Sequence, residues 1–154
     1  MIRFHPMPTD HAAAFRAGAP DAHGLPPEHH ISDGAGNPCR HCLCNIPEGA
    51  GMLILAYRPF ATLHPYAEVG PVFLCADACA AFVGDGVPEI FTTSPDYLLK
   101  GHGPDERIVY GTGRVTPATE ITAQAQKVLA DPRIAFVDVR SARNNCWQAR
   151  IRPA

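Results

Sequence analysis

Pro38-Cys39-Arg40-His41-Cys42-Leu43 and Phe73-Leu74-Cys75-Ala76-Asp77-Ala78-Cys79 are the two stretches that decide the fold of this chain. Each carries a pair of cysteines, and the sequence between them predicts a β-hairpin. This layout is typical of a four-thiolate zinc site. The expected ligands of one zinc ion are Cys39, Cys42, Cys75 and Cys79. Because a structural zinc ion takes all its ligands from protein, the pattern predicts a stabilised domain more directly than an activity.

The spacing of the second pair leaves the ligand set open. Three residues separate Cys75 from Cys79, where two are usual, and the available substitutes are His41, Cys44 and His30. Two other interpretations compete with zinc. The cysteines could be buried reduced thiols, which pack as small hydrophobic side chains. Alternatively, the first pair could be a thiol redox pair, although no thioredoxin-like βαβ pattern surrounds it.

The order of elements around these cysteines resembles a treble-clef zinc module. The sequence predicts a turn at the first pair, a hairpin of strands at 52–57 and 71–74, and a short helix at 76–83 that begins beside the second pair. The positive end of that helix would favour thiolate over thiol. A zinc-binding part is therefore expected at 39–83.

Composition favours one soluble domain of 154 residues, with 46% hydrophobic and 18% charged residues. No apolar run reaches the roughly 18 residues of a membrane span. Pro6 and Pro8 interrupt the first ten residues before any secretory core forms, so we expect a cytoplasmic protein with reduced thiols. The net charge of −2 gives no overall attraction to nucleic acid or to anionic membranes.

The remaining elements predict an α+β fold with a small mixed or antiparallel sheet in a single domain, 1–154. Thr9 precedes a two-turn helix that ends at Gly18, and an irregular segment covers 19–38. An α/β half is expected at 96–152. Its predicted strands are 97–100, 107–110, 134–139 and 146–151, and its predicted helix is 117–130, with Thr116 as N-cap. The last four elements give a C-terminal β-α-β-β segment.

A second candidate site follows from the strand at 107–110, the helix and the strand at 134–139. A right-handed βαβ crossover would bring the ends of both strands to one edge, where backbone N–H groups and guanidinium groups suit a small anion or phosphate. The residues expected there are Gly111, Thr112, Gly113, Arg140, Ser141, Arg143 and Asn145. Cys146 is a candidate nucleophile there, although no histidine follows His102 to serve as its base.

The simpler interpretation of these residues is also open. Gly111 and Gly113 could only permit a bulge or turn, and Asn144-Asn145 could form a hairpin turn. Arg140 and Arg143 would then be solvated side chains.

Several segments together resemble a bacterial domain-of-unknown-function family, number 1203. They are Pro38 to Leu43, Leu55 to Phe60, Tyr66 to Glu68 with Gly70 to Leu74, Arg107 to Gly113, and Val139 to Cys146. Relatives with the same Cys-Arg-His-Cys segment carry histidine where this chain has Cys75, which resembles an exchange of zinc ligands. The resemblance therefore implies a metal role for Cys39, Cys42, Cys75 and Cys79. It implies no particular biochemical activity.

Three classes of function are consistent with the sequence. The first is a zinc-stabilised domain, such as an interaction module. The second is an enzyme or small-molecule binder that uses the Gly111 to Cys146 edge. The third is nucleic-acid binding through the zinc module, because Arg133, Arg140, Arg143, Arg150 and Arg152 have only Asp138 as an acid within their own stretch. The acidic net charge argues against the third class, and the sequence names no partner.

Overall fold

The chain forms two antiparallel β-sheets and two α-helices in a computed structural model that describes residues 1–154. The strands are β1 (Ile2–His5), β2 (Glu28–Ile31), β3 (Gly51–Tyr57), β4 (Gly70–Cys75), β5 (Asp96–His102), β6 (Arg114–Pro117), β7 (Phe136–Ser141) and β8 (Trp147–Pro153). The α-helices are α1 (Thr9–Arg16) and α2 (Ile121–Leu129). Short 3-10 turns cover Glu89–Thr92 and Ala118–Glu120. No helix combines the length and the apolar character that a membrane crossing requires.

The larger sheet has five strands in the order β1-β8-β7-β5-β6. Helix α2 packs on one face of it, and the first hydrophobic core lies between them. Ile121, Ala125 and Val128 of α2 are buried there, as their helical spacing predicts. The helix begins later than predicted, because Thr116 is a buried residue of β6 and the chain makes a 3-10 turn before Ile121.

The smaller sheet has three strands in the order β2-β3-β4. Its central strand β3 buries Met52, Leu53, Leu55 and Tyr57 in a second core, which also contains Ala12 of α1. Trp147, at the start of β8, packs into this second core although β8 belongs to the larger sheet. The two sheets therefore form a single compact α+β domain, as predicted.

Two predicted elements are wrong. Residues 107–110 form no strand, because the chain reverses direction at Glu106 (φ +63°) and only an isolated bridge joins His102 to Ile108. Residues 76–83 form no helix. This stretch is too short for a helix to be stable alone, and the backbone bonds at its two ends hold it in an open loop: Ala76 N–H donates to Gly51 O, and Phe82 N–H donates to His41 O.

The chain order of the C-terminal segment is nevertheless β-α-β-β, formed by β6, α2, β7 and β8. Strand β5 lies between β6 and β7 and pairs antiparallel with each of them. Strands β6 and β7 consequently run in the same direction without being neighbours. The crossover through α2 therefore spans one intervening strand.

The face of the larger sheet opposite α2 carries buried charges. Asp138 of β7 is fully buried and accepts two hydrogen bonds from Arg150 of β8, at 2.7 and 3.0 Å. Arg150 also donates to the carbonyl oxygen of Pro59, at 2.7 Å. Arg140 pairs with Glu68 at 2.9 Å, and Glu68 also pairs with Lys100. The loop between β3 and β4 thus covers this face and supplies acceptors for its cations.

Asp138→Asn should strongly destabilise the protein. The substitution leaves the Arg150 guanidinium, whose side chain is only 12% exposed, without its negative partner. Breaking one side of a buried ion pair typically costs about 3–5 kcal/mol. Urea unfolding at neutral pH measures the change in the free energy of unfolding.

The matched control is Asp131→Asn, which removes the charge from an exposed pair with Arg133. We expect a far smaller change there, because water already solvates that pair. Equal effects of the two substitutions would show that the buried Asp138 ion pair stabilises the fold no more than the exposed Asp131 pair does.

Candidate metal centre

Four cysteines converge beside the smaller sheet. Cys39 and Cys42 lie in the turn between β2 and β3, Cys75 is the last residue of β4, and Cys79 lies in the loop that follows. Their four sulfur atoms all lie within 4.8 Å of one another. The Sγ atoms of Cys39 and Cys79 are 3.9 Å apart. The sequence prediction that these cysteines form one cluster is thus met in the structure.

Local hydrogen bonds explain how the first pair reaches the second. The N–H of Leu43 donates to the carbonyl oxygen of Cys39 at 3.0 Å, and Leu43 has a left-handed backbone (φ +55°), which closes a tight turn. The backbone N–H of Arg40 donates to Phe73 O at 3.0 Å, so the turn adds to the free edge of β4. The N–H of Cys75 then lies 3.4 Å from the Cys39 sulfur.

The loop around Cys79 explains the unusual three-residue spacing. Because residues 76–83 are not helical, Cys79 does not depend on a helical turn to face Cys75. Arg16 of α1 fixes this region instead: its Nη2 donates to Cys79 Sγ and its Nε donates to Cys75 O, each at 3.0 Å. Helix α1 is thereby tied to both members of the second pair.

His41 also contacts the cluster. Its Nδ1 lies 3.3 Å from Cys79 Sγ, and its Nε2 lies 3.0 Å from Thr9 Oγ1. Burial lowers the pKa of His41, with the charge of Arg16 adding to the effect, so the neutral ring is favoured. A proton on Nδ1 satisfies both contacts, since the ring then donates to sulfur and accepts from the Thr9 hydroxyl.

The four thiols of the cluster influence each other's pKa values. Hydrogen bonds from the thiols of Cys42 and Cys75 lower the pKa of Cys39. The same hydrogen bonds to Cys39 raise the pKa of Cys42 and of Cys75. Burial raises the pKa of Cys79 to about 11, and the charge at Cys39 adds to this effect. Further thiolates would form here only if a cation replaced the protons.

The geometry is suitable for a metal ion. Metal–sulfur bonds of about 2.3 Å in a tetrahedron place sulfur atoms about 3.8 Å apart. The observed separations, 3.9 Å for one pair and at most 4.8 Å for the others, require only small shifts. The four cysteines could therefore bind a metal ion.

The substitute ligands considered from the sequence lie outside this four-sulfur cluster. Cys44 is exposed and its sulfur lies 3.6 Å from Cys42 O. His30 is exposed on β2, where its ring contacts Glu28. His41 contacts the Cys79 sulfur without joining the cluster, so its place is that of a supporting residue.

The structure does not bring the predicted anion site together. Thr112 is bonded to Gly101, near the C-terminal end of β5, whereas Arg140 and Ser141 pair with Leu98 and Tyr97 near its N-terminal end. The prediction fails because Gly111 to Gly113 precede β6, so that they lie at the start of this strand. The assumed strand at 107–110 had placed them at a strand end.

The two arginines of that site are also engaged. Arg140 is buried against Glu68, and its Nη1 donates to Asn145 O at 3.1 Å. Arg143 pairs with Asp96 on the surface. Gly111 has φ +89° and Asn145 has φ +58°, which matches the simpler interpretation of these segments as turns.

Cys146 is half-buried in the turn between β7 and β8, and its sulfur lies 3.6 Å from Asn144 O. It lines a cavity of about 210 Å³ that contains Arg40 but no histidine. The base that a nucleophilic Cys146 needs is therefore not among its neighbours in this cavity.

Arg40 is a structural residue that the sequence analysis missed. Its guanidinium is buried; Nε donates to Trp147 O at 2.6 Å and Nη1 donates to Pro38 O. It thus ties the cysteine turn to β8. The sequence gives no sign of this role, because Trp147 is 107 residues away from Arg40.

The fold and the cysteine cluster together define an α+β protein with a candidate metal centre. The chain belongs to the family described as "Protein of unknown function (DUF1203)", whose family model matches residues 36–152. No curated protein and no solved structure gives a significant match. The matched residues include all four clustered cysteines.

Proposed function

We propose that this protein binds one zinc ion through Cys39, Cys42, Cys75 and Cys79, and that the ion stabilises the fold. The observation that carries the proposal is the approach of four sulfur atoms to within 4.8 Å. Tetrahedral four-sulfur sites select zinc or iron, and closed four-cysteine sites are typical of structural zinc. Such a site leaves no coordination position for a substrate.

The proposed ion would strengthen the connection between parts of the chain that hydrogen bonds also join. Cys79 lies in a loop without regular structure, between β4 and the 3-10 turn at Glu89–Thr92. Zinc would attach this loop to the cysteine turn and to the end of β4. Since Arg16 bonds to Cys79, helix α1 would be held as well. Metal that binds only the folded state stabilises it by mass action.

Because a closed zinc site has no room for a substrate, any other biochemical role would belong to another surface of the protein. An interaction module or a small-molecule binder would use a region away from the closed zinc site. Nucleic-acid binding is not favoured, because four of the five C-terminal arginines have acidic partners. The pairs are Arg133–Asp131, Arg140–Glu68, Arg143–Asp96 and Arg150–Asp138.

Elemental analysis of protein produced with zinc available should give one zinc ion per chain. Cys42→Ser should lose the metal and lower the melting temperature, because three thiolates bind zinc more weakly than four. The matched control is Cys44→Ser, which changes an exposed cysteine of the same turn. Trp147 is the only tryptophan and lies in the second core, so its fluorescence reports unfolding near the site.

Three results would contradict the zinc proposal. Absence of metal in the folded wild-type protein would support the interpretation as reduced thiols, and one iron per chain would replace zinc by iron. If confirmed zinc removal left the melting temperature unchanged, the ion would have no structural role.

Zinc binding should release protons and weaken as the pH falls. Cys42, Cys75 and Cys79 have raised pKa values and are protonated at neutral pH, whereas Cys39 has a lowered pKa. Binding as four thiolates therefore displaces at least three protons. Calorimetric titration in buffers with different ionisation enthalpies measures this number. Release of one proton or fewer would show that the zinc-free cluster already holds several thiolates.

A further inference from the structure

A cavity between the two sheets has none of the four clustered cysteines in its lining. It has a volume of about 630 Å³, within the range of small-molecule sites. One wall is formed by the ends of β1 and β8 in the larger sheet. The opposite wall is formed by the residues before α1 and by the chain that leaves β3, from Tyr57 to Ala61.

The charged residues of this cavity are mostly cationic. Arg58, Arg150 and Arg152 line it, and Glu106 is its only acidic residue. The Glu106 carboxylate already accepts hydrogen bonds from the backbone N–H groups of Ala61 and Thr62. Of the arginines, only Arg150 has a carboxylate partner, Asp138. The cavity therefore has an excess of positive charge.

Two of these cations lack a carboxylate partner, and one of them has a buried donor without a hydrogen-bond partner. The Nε of Arg58 is buried without a hydrogen-bond partner. Arg152 forms no salt bridge, and its guanidinium lies 5.0 Å from the ring centre of Phe136. The pKa of the neighbouring His5 is lowered, mainly by burial and also by the positive charges of Arg152 and Arg150.

Trp147 supplies a second buried donor without a partner. This residue is 4% exposed and lines the cavity, and its Nε1–H is buried with no acceptor. A buried donor without a partner is uncommon in a folded protein and calls for an explanation such as a bound ligand. An acceptor atom of a ligand in the cavity would satisfy it.

Aromatic rings form part of the apolar lining. Tyr57 and Phe60 contribute aromatic rings, and Tyr57 packs against the Trp147 indole with ring centres 5.4 Å apart. Such walls accept a planar apolar body, whereas the free guanidinium groups accept carboxylate or phosphate.

We propose that this cavity binds an organic anion that combines a planar apolar group with a carboxylate or phosphate. The arginines at 58 and 152 would hold the anionic group, and the rings of Tyr57, Phe60 and Trp147 would contact the planar group. The site does not require the zinc ion, since none of its lining residues is one of the four clustered cysteines.

Titration of the full-length protein with 1-naphthoate and with 1-naphthyl phosphate tests this proposal. The readout is the single tryptophan indole N–H resonance in proton–nitrogen NMR spectra, which belongs to Trp147. We expect at least one naphthyl anion to shift this resonance saturably. The two probes distinguish a carboxylate site from a phosphate site. Neutral 1-naphthalenemethanol and inorganic phosphate should each bind at least about tenfold more weakly than that anion.

Substitutions of the cavity arginines test whether the anion binds within the cavity. Arg58→Gln and Arg152→Gln, tested separately, should weaken binding by about tenfold, as expected for loss of a charge-assisted hydrogen bond. The control is Arg114→Gln, at an exposed arginine of β6 outside the cavity. Since neither Arg58 nor Arg152 has a carboxylate partner, each variant should keep the wild-type melting temperature.

The proposal is overturned if neither naphthyl anion shifts the indole resonance. It is also overturned if the neutral probe binds as tightly as the anion, because the charge would then be irrelevant. Inorganic phosphate that binds equally well would remove the need for a planar group. Binding that survives both arginine substitutions unchanged would place the anion elsewhere.

Discussion

The close approach of four sulfur atoms is the constraint on which one side of this fold depends. Thiols at this distance shift each other's pKa values: hydrogen bonds from Cys42 and Cys75 lower the pKa of Cys39, and the same contacts raise the pKa of Cys42 and of Cys75. A divalent cation in place of the protons would replace weak thiol contacts by metal–thiolate bonds, which would cross-link three parts of the chain. The second core surrounds this cluster and includes Cys39 itself. Metal binding at this point would therefore be coupled to packing.

A different principle organises the larger sheet. One face packs against α2 as an ordinary hydrophobic core, whereas the other buries Asp138 and Arg140. Buried charges need partners, and these come from β8 and from the loop between β3 and β4. Because the loop must reach across to make these contacts, it spans both sheets. The large cavity is lined in part by the first residues of this loop.

The sequence predicts best where local pattern and tertiary structure agree. The apolar run of β3 and the helical spacing of Ile121, Ala125 and Val128 are recovered in the two cores. Strand β2 was missed because all four of its residues are exposed and only pairing with β3 makes it a strand. The cysteine cluster was predictable because thiol spacing is a chemical signature. The salt-bridge partners could not be predicted in this way, since residues such as Glu68 and Arg140 are far apart in sequence.

The cysteine cluster and the large cavity share a boundary. Thr9 lines the cavity and contacts His41, whose other ring nitrogen contacts the Cys79 sulfur. Phe82 also lines the cavity, and its N–H donates to the carbonyl oxygen of His41. A metal ion that fixes Cys79 would therefore restrict the positions of two wall residues. Because a rigid wall reduces the entropy lost on binding, the proposed zinc ion would also preorganise the proposed anion site without touching the ligand.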